Sequence, residues 1–181
     1  VATVLIPLAQ GCEELEAVTL IDLFRRAGVA VTVAGLEPGH VTASRGVVLL
    51  PETTLDQVSD QDFDLVVLPG GLGGAQRLEA DRRIAALLRR MTEQGRYVAA
   101  ICAAPKVLAS AGLLQGREAT AYPGILDGRT DLRLSSAAVV RDGTFITSRG
   151  PGTAMDFALT LIELLCGQAK RDEVESALQR S

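Results

Sequence analysis

Residues 3–36 read TVLIPLAQGCEELEAVTLIDLFRRAGVAVTVAGL, and this stretch decides the fold. TVLIPLA (3–9) is a continuous apolar run, the pattern of a parallel strand buried on both faces. Pro7 inside it argues against a central strand unless the ladder is already ending there. EELEAVTLIDLFRRAG (13–28) is an amphipathic helix. It opens on carboxylates, which suit a helix N-terminus, and closes on Arg25 and Arg26 with Gly28 as its stop. VAVTVAGL (29–36) is β-branched and alternating, hence a second strand. Strand, helix and strand in this order make a βαβ unit, whose crossover is right-handed and whose strands are parallel.

The same alternation continues outward. EPGH (37–40) is a turn, and VTASRGVVLLPETTL (41–55) reads as two short strands around Arg45 and Gly46. FDLVVLPGG (63–71) is a core strand ending in a Gly-Gly turn. Residues 74–94 carry Leu78, Ile84, Leu87, Leu88 and Met91 at helical spacing, with Gly95 as the stop. RYVAAI (96–101) is a buried strand and 103–111 a helix. Residues 117–134 read as irregular. AAVVRDGTFITS (137–148) is a hairpin turning at Asp142-Gly143. Thr153 is expected to N-cap the next helix, MDFALTLIELLCG, with Asp156 completing a capping box. A last amphipathic helix covers 170–180. The pattern describes one α/β sandwich domain over residues 1–181, built on a mostly parallel sheet.

Composition narrows the function. The 181 residues are 48% hydrophobic with a formal net charge of -4. The densest basic stretch, Arg82 to Arg90, is interleaved with apolar residues and reads as a solvated helix face, so nucleic-acid recognition is not expected. No apolar run approaches the ~18 residues of a membrane span. VATVLIPLA lacks the charged leader of a signal peptide and reads as the first strand. Three cysteines without framework spacing fit a reducing cytoplasm. A single histidine, His40, in a turn, excludes a histidine-rich metal site, and no metal or cofactor is expected.

In open α/β sheets ligands sit beyond the carboxyl ends of the strands. Three features fall at that edge: GCEELE (11–16), Pro69-Gly70-Gly71, and Cys102 in VAAICAAPK (98–106). A strand that turns at once into a helix lifts Cys102 out of the core, with its sulfur beside amides that favour a thiolate. Small neighbours suit a crowded corner, and Pro105 suits the first turn of a helix. The same residues also describe a buried cysteine that merely fills space. Glu16 is either a helix-terminal charge or, if it meets Cys102, a proton carrier. Gly70 and Gly71 make either a plain tight turn or a backbone oxyanion site. Cys166 reads as core or helix packing, and Cys12 as a small residue rather than a resolving thiol. No GxGxxG or Walker sequence supports a nucleotide site.

Taken in order, GCEELE, RRAG, VAGL, SRGVVL, DLVVLPGG, AAICAAP and TSRGPGT resemble the ThiJ/PfpI superfamily. The closest likeness is to the branch of the parkinsonism-associated deglycases. The resemblance implies a flavodoxin-like three-layer sandwich and a homodimer. It implies a reactive Cys102 on a nucleophile elbow, readily oxidised to sulfinate, with a protonated Glu16 bonded to the sulfur. It implies a pocket lined by the amides of Gly70, Gly71 and Ala103, with Arg26, Arg45 and the Gly150-Pro151-Gly152 loop around or just behind it.

Two departures bear on mechanism. Peptidase-like members carry histidine directly after the cysteine, where this chain has Ala103. The pocket histidine of other members is replaced by Tyr122, which either hydrogen-bonds a substrate oxygen or walls the pocket, the wall being the favoured reading. A Cys-His dyad is absent and proteolysis is not expected. The expected activity is a glutathione-independent glyoxalase or deglycase acting on small α-oxoaldehydes or their early adducts. The alternative is a redox sensor or chaperone switched by oxidation of Cys102.

Overall fold

A computed structural model describes residues 1–180. The elements follow in chain order: β1 (Thr3–Leu8), α1 (Glu14–Arg26), β2 (Ala30–Gly35), β3 (Val41–Thr42), β4 (Val48–Leu49), β5 (Thr53–Thr54), α2 (Leu55–Val58), β6 (Leu65–Leu68), α3 (Leu72–Ala80), α4 (Arg82–Glu93), β7 (Tyr97–Ile101), α5 (Pro105–Ser110), β8 (Glu118–Ala119), β9 (Arg133–Leu134), β10 (Val139–Asp142), β11 (Phe145–Ser148), α6 (Ala154–Cys166) and α7 (Gln168–Ala177).

Seven strands form the central sheet in the order β10-β11-β7-β6-β1-β2-β5. All neighbours are parallel except β10, which returns antiparallel along β11. Helices cover both faces, giving the expected three-layer sandwich. Alternating side chains separate two cores. Leu5, Val66, Val98 and Ala100 pack with Leu78, Ile84 and Leu88 on one face. Val4, Ile6, Val67 and Ala99 pack with Leu20, Phe24 and Phe157 on the other. Phe24 and Phe157 are fully buried. Truncating either to alanine is expected to cost about 3–5 kcal/mol.

The chain runs from β1 to β2 on one side, then returns to β6 and builds β7 and β11 on the other. The direction reverses between β1 and β6, and a crevice opens beyond the carboxyl ends of strands at such a point. β1 is central despite Pro7. Its ladder with β6 covers only Val4 and Leu5. The Leu8 carbonyl accepts from Leu36 on the β2 side. Alternation therefore turns the Pro7 nitrogen toward β6, past the end of that ladder, where no donor is required.

Four local readings are corrected. Residues 74–94 are not one helix: Asp81 is extended (φ -86°, ψ 115°), ends α3 and caps α4 through Arg83 N–H. A short acceptor side chain that binds the amide two residues on competes with helix continuation. The capping box expected at Thr153 and Asp156 does not form: Thr153 makes no side-chain cap bond to α6 and turns its hydroxyl back to Gly150. Gly150 N–H donates to Thr153 Oγ1 at 3.1 Å, and Thr153 N–H returns a bond to the Gly150 carbonyl. Asp156 pairs instead with Arg180. Cys166, read as core or helix packing, is exposed at the end of α6. Within 117–134, β8 and β9 form a small parallel pair.

Candidate active site

Cys102 follows β7 directly and adopts φ 65°. A side chain at positive φ costs about 1–2 kcal/mol and persists only where its surroundings fix the backbone. They do so here. Cys102 N–H donates to the Ser148 carbonyl at 3.0 Å, and its own carbonyl accepts from Tyr122 N–H at 2.8 Å. Ser148 is held in turn: its hydroxyl lies 2.7 Å from that of Thr153 and donates to the Ala138 carbonyl. Ala99, Ala100, Ala103 and Ala104 leave space for this corner, and all are buried. The thiol residue itself is 8% exposed.

Glu16 lies in the first turn of α1 and is fully buried. Its Oε1 accepts from Gly70 N–H at 2.9 Å. The glycine between the two groups is obligatory. A Cβ on Gly70 would stand 2.6 Å from Cys102 Cβ and 2.7 Å from Glu16 Oε1. Gly71 has φ 87°, and a Cβ there would meet the Gly11 carbonyl at 2.4 Å. The Gly-Gly turn after β6 therefore does more than reverse the chain. It allows the turn after β1 and the corner after β7 to close on one point, bringing Glu16 and Cys102 together.

The two groups titrate as a pair. Burial drives the Glu16 carboxyl up to about 7, against the Gly70 N–H bond and the contact with Cys102, which favour its charge. Burial, then the Glu16 charge, pushes the Cys102 thiol up to about 12. The amides of Gly71 and Ala103 act on the sulfur in the opposite sense. The sequence leads one to expect those amides to hold the thiol below its free value. They favour the thiolate as expected, but burial and the carboxylate outweigh them. Between about 7 and 12 the pair carries one negative charge and one proton. Glu16 Oε2 is buried without a hydrogen-bond partner, which leaves it free to carry the proton. With the proton on Glu16 the repulsion vanishes, and the carboxyl donates to the thiolate.

Other residues expected at the site are placed as follows. Ala103 is buried beside Cys102. Tyr122 is 51% exposed and walls an open cleft with Pro123, Pro151 and Gly152, next to the elbow. Arg45 lies in the turn between β3 and β4, its N–H bonded to Glu14 Oε2, at the same end of α1 as Glu16. Arg26 is not brought to the thiol by this chain. It ends α1, ten residues and about 15 Å along the axis from Glu16, where it pairs with Asp22. His40 is exposed in the turn after β2 and supplies its carbonyl to Gln10. Cys12 is buried in the α1-side core, its thiol pushed up to about 11 by burial first and by the charge of Glu14 next.

Sequence reasoning missed three contributors. Ser148 and Thr153 anchor the elbow from across the sheet, and Arg149 lines the cleft. TSRGPGT carried them, but a hydroxyl's partner depends on strand register, which periodicity does not give. Glu14 is also more than a helix-terminal charge. It is buried and tethers the 44–45 turn through Ser44 and Arg45.

The DJ-1/PfpI family model matches residues 2–164. The chain belongs to the DJ-1/PfpI family. It is 46% identical over 177 residues to DJ-1beta of Drosophila melanogaster, covering 96% of this chain and 95% of that one. The crystal structure of that fly protein superposes with a TM-score of 0.96 over 99% of this chain and 98% of that one, at 45% identity. A Toxoplasma gondii DJ-1 solved in an oxidized form also gives 0.96, at 38% identity over the whole of both chains. A protein named as a deglycase from Pyrococcus horikoshii is 33% identical over 164 residues, covering 90% of this chain and 98% of that one. Among the described residues no helix is long and apolar enough to cross a membrane, and no three metal-ligating side chains gather.

Proposed function

We propose that this DJ-1/PfpI protein is a cysteine-dependent, glutathione-independent glyoxalase or deglycase acting on α-oxoaldehydes such as methylglyoxal, or on their early adducts. The observation that carries this reading is the buried Glu16–Cys102 pair closed around Gly70. In the microstate with the proton on Glu16, the sulfur is a nucleophile. It adds to the aldehyde carbon, and the carbonyl oxygen takes the Glu16 proton to give a hemithioacetal. The Glu16 carboxylate then removes the proton on that carbon, and the resulting enediol is reprotonated at the former ketone carbon. Water hydrolyses the thioester, releasing lactate and restoring the thiol. No oxidant or cofactor enters the balance. The Gly71 and Ala103 amides lie beside the sulfur and favour negative charge developing there.

The test is lactate formed from methylglyoxal without glutathione. Cys102→Ser is expected to abolish it, and Glu16→Gln to lower kcat by ~10²-fold or more. Full activity in Cys102→Ser rejects the reading.

A second reading rests on the same pair. A carboxylic acid buried against a thiol can donate to a sulfinate oxygen, so mild peroxide would convert Cys102 selectively. The oxidized Toxoplasma relative favours keeping this reading. Peptide mass mapping after mild peroxide tests it: oxygen must enter Cys102 before Cys12 or the exposed Cys166.

A homodimer belongs to the proposal. Leu15 and Val18 stand exposed on α1 beside exposed Val47, Val48 and Leu50. The segment carrying these valines is tied to α1 by Glu14–Ser44 and Arg25–Glu52. An apolar strip of this kind suits a second copy of the chain.

A further inference from the structure

The mechanism above uses the sulfur, the carboxyl and the amides, and leaves the one charged group of the cleft walled by Tyr122 without a role. Arg149 follows Ser148, whose carbonyl holds the Cys102 amide, and it faces Tyr122, whose amide holds the Cys102 carbonyl. One wall of the cleft thus makes a backbone bond that fixes the elbow, and the other is one residue from the second such bond. The cleft encloses about 330 Å³ and is lined by Tyr122, Pro123 and Arg149 to Thr153. Arg149 is its sole charged residue. A second cleft of about 410 Å³ lies on the other side of the Tyr122 wall and contains Asp127 as well as Arg149. Asp127 does not pair with the guanidinium. Arg149 Nη1 donates to the Ser136 carbonyl at 2.8 Å, a neutral acceptor that positions the group without cancelling its charge. The remaining N–H donors have no partner among the described residues. A planar guanidinium held from one corner presents the fork that binds a carboxylate through two parallel bonds.

We propose that Arg149 is a specificity-determining residue that seats a carboxylate at the far end of the substrate, so that the preferred substrates are α-oxoaldehydes carrying a carboxylate tail. The inference rests on the aldehyde reading given above. It extends that reading from a neutral three-carbon substrate to a class such as 4,5-dioxopentanoate. The chemistry balances as before: the thiolate adds to the aldehyde carbon, Glu16 moves one proton to the former ketone carbon, and water releases 2-hydroxyglutarate. The positive end of the cleft also offsets the repulsion an anion meets from the singly charged Glu16–Cys102 pair.

The test compares kcat/KM for 4,5-dioxopentanoate with that for its methyl ester, in wild type, Arg149→Gln and Arg149→Lys. Wild type is expected to prefer the anion. Arg149→Gln should reduce that preference on the order of 10- to 100-fold, mainly through KM, while leaving the ester unchanged. Arg149→Lys should restore part of it. A readout independent of turnover is alkylation of Cys102 by bromoacetamide bearing a carboxypropyl tail, against N-butyl bromoacetamide. The wild-type rate ratio should favour the anionic reagent, and Arg149→Gln should bring it toward one with the neutral rate retained. Retention of that neutral rate shows that the variant is folded. An anion preference in alkylation without turnover of either aldehyde supports the subsite and rejects the reaction. Equal ratios in wild type and Arg149→Gln, or no anion preference in wild type, overturn the subsite whether or not methylglyoxal is turned over.

Discussion

Gly70 gives its N–H to Glu16 Oε1 at 2.9 Å, from a position where any side chain would collide with both Glu16 and Cys102. Two chemical groups from distant parts of the chain meet only because this residue has no Cβ. Gly70→Ala is expected to destabilise the fold by about 1–3 kcal/mol through overpacking. It should also separate the pair. Denaturant unfolding measures the first effect, and the rate of Cys102 alkylation at neutral pH the second. An alanine variant that alkylates at the wild-type rate would show that the close approach is unnecessary.

The pair sets a distinctive pH profile. In wild type, alkylation of Cys102 is expected to rise near pH 7, as the first proton leaves the pair, and again near pH 12. Glu16→Gln removes both the carboxylate charge and the shared proton. A single rise should remain, below pH 12, and the step near 7 should vanish. Iodoacetamide rates between pH 5 and 11 resolve the two cases, because the lower step is present or absent within that range.

The same burial makes Glu16 a pH-dependent burden on stability. Its folded pKa of about 7 lies above the ordinary carboxyl value of 4.5. The native state therefore holds more protons than the unfolded state between these values. The Glu16 contribution is most favourable below about 4.5 and is lost as pH rises to about 7. The shift corresponds to a loss of about 3 kcal/mol across that window. Urea midpoints for Glu16→Gln, compared with wild type at each pH, should diverge over this interval and run parallel above it.

The strained corner gives a third contrast. Cys102 is held at φ 65° by bonds to Ser148 and Tyr122. Glycine adopts positive φ without strain, whereas alanine does not. Cys102→Gly is therefore expected to be more stable than Cys102→Ala by up to about 1 kcal/mol. Thermal or urea unfolding of the two variants isolates the backbone contribution, since both lack the sulfur.

Much of this architecture was legible because the strands are apolar runs separated by helices with clear polar faces. The βαβ order places GCEELE, Pro69-Gly70-Gly71 and Cys102 at one sheet edge before any coordinates are known. What the sequence could not convey is proximity and its electrostatic consequence. That Glu16, and not Glu13 or Glu14, reaches the Gly70 turn beside Cys102 depends on the exact phase of α1. That the thiol is pushed up despite its amide donors depends on how deeply the corner is buried. Arg26 shows the converse limit: a residue carried in by resemblance lies at the far end of its helix from the sulfur.

Asp81 shows the same limit at the level of a single helix, and it supplies the last prediction. Five apolar residues at helical spacing read as one helix through 74–94, yet Asp81 breaks it. Its carboxylate accepts from Arg83 N–H at 2.8 Å and pairs with the Arg83 guanidinium, which also reaches Asp56 and the Leu36 carbonyl. The Arg83 side chain, then burial working in the other direction, sets its carboxyl, with a net lowering below the ordinary range. Asp81→Ala should cost about 0.5–2 kcal/mol, the usual value of an N-cap. Because the folded pKa is depressed, the contribution of Asp81 is present above the unfolded value and is lost as pH falls through the folded one. The stability gap between wild type and Asp81→Ala should therefore close in acid, while Asp81→Asn, which keeps a capping oxygen, should retain part of the stability at neutral pH. If alanine and asparagine were equally destabilising at pH 7, the cap would contribute nothing and the ion pair with Arg83 would account for the whole effect.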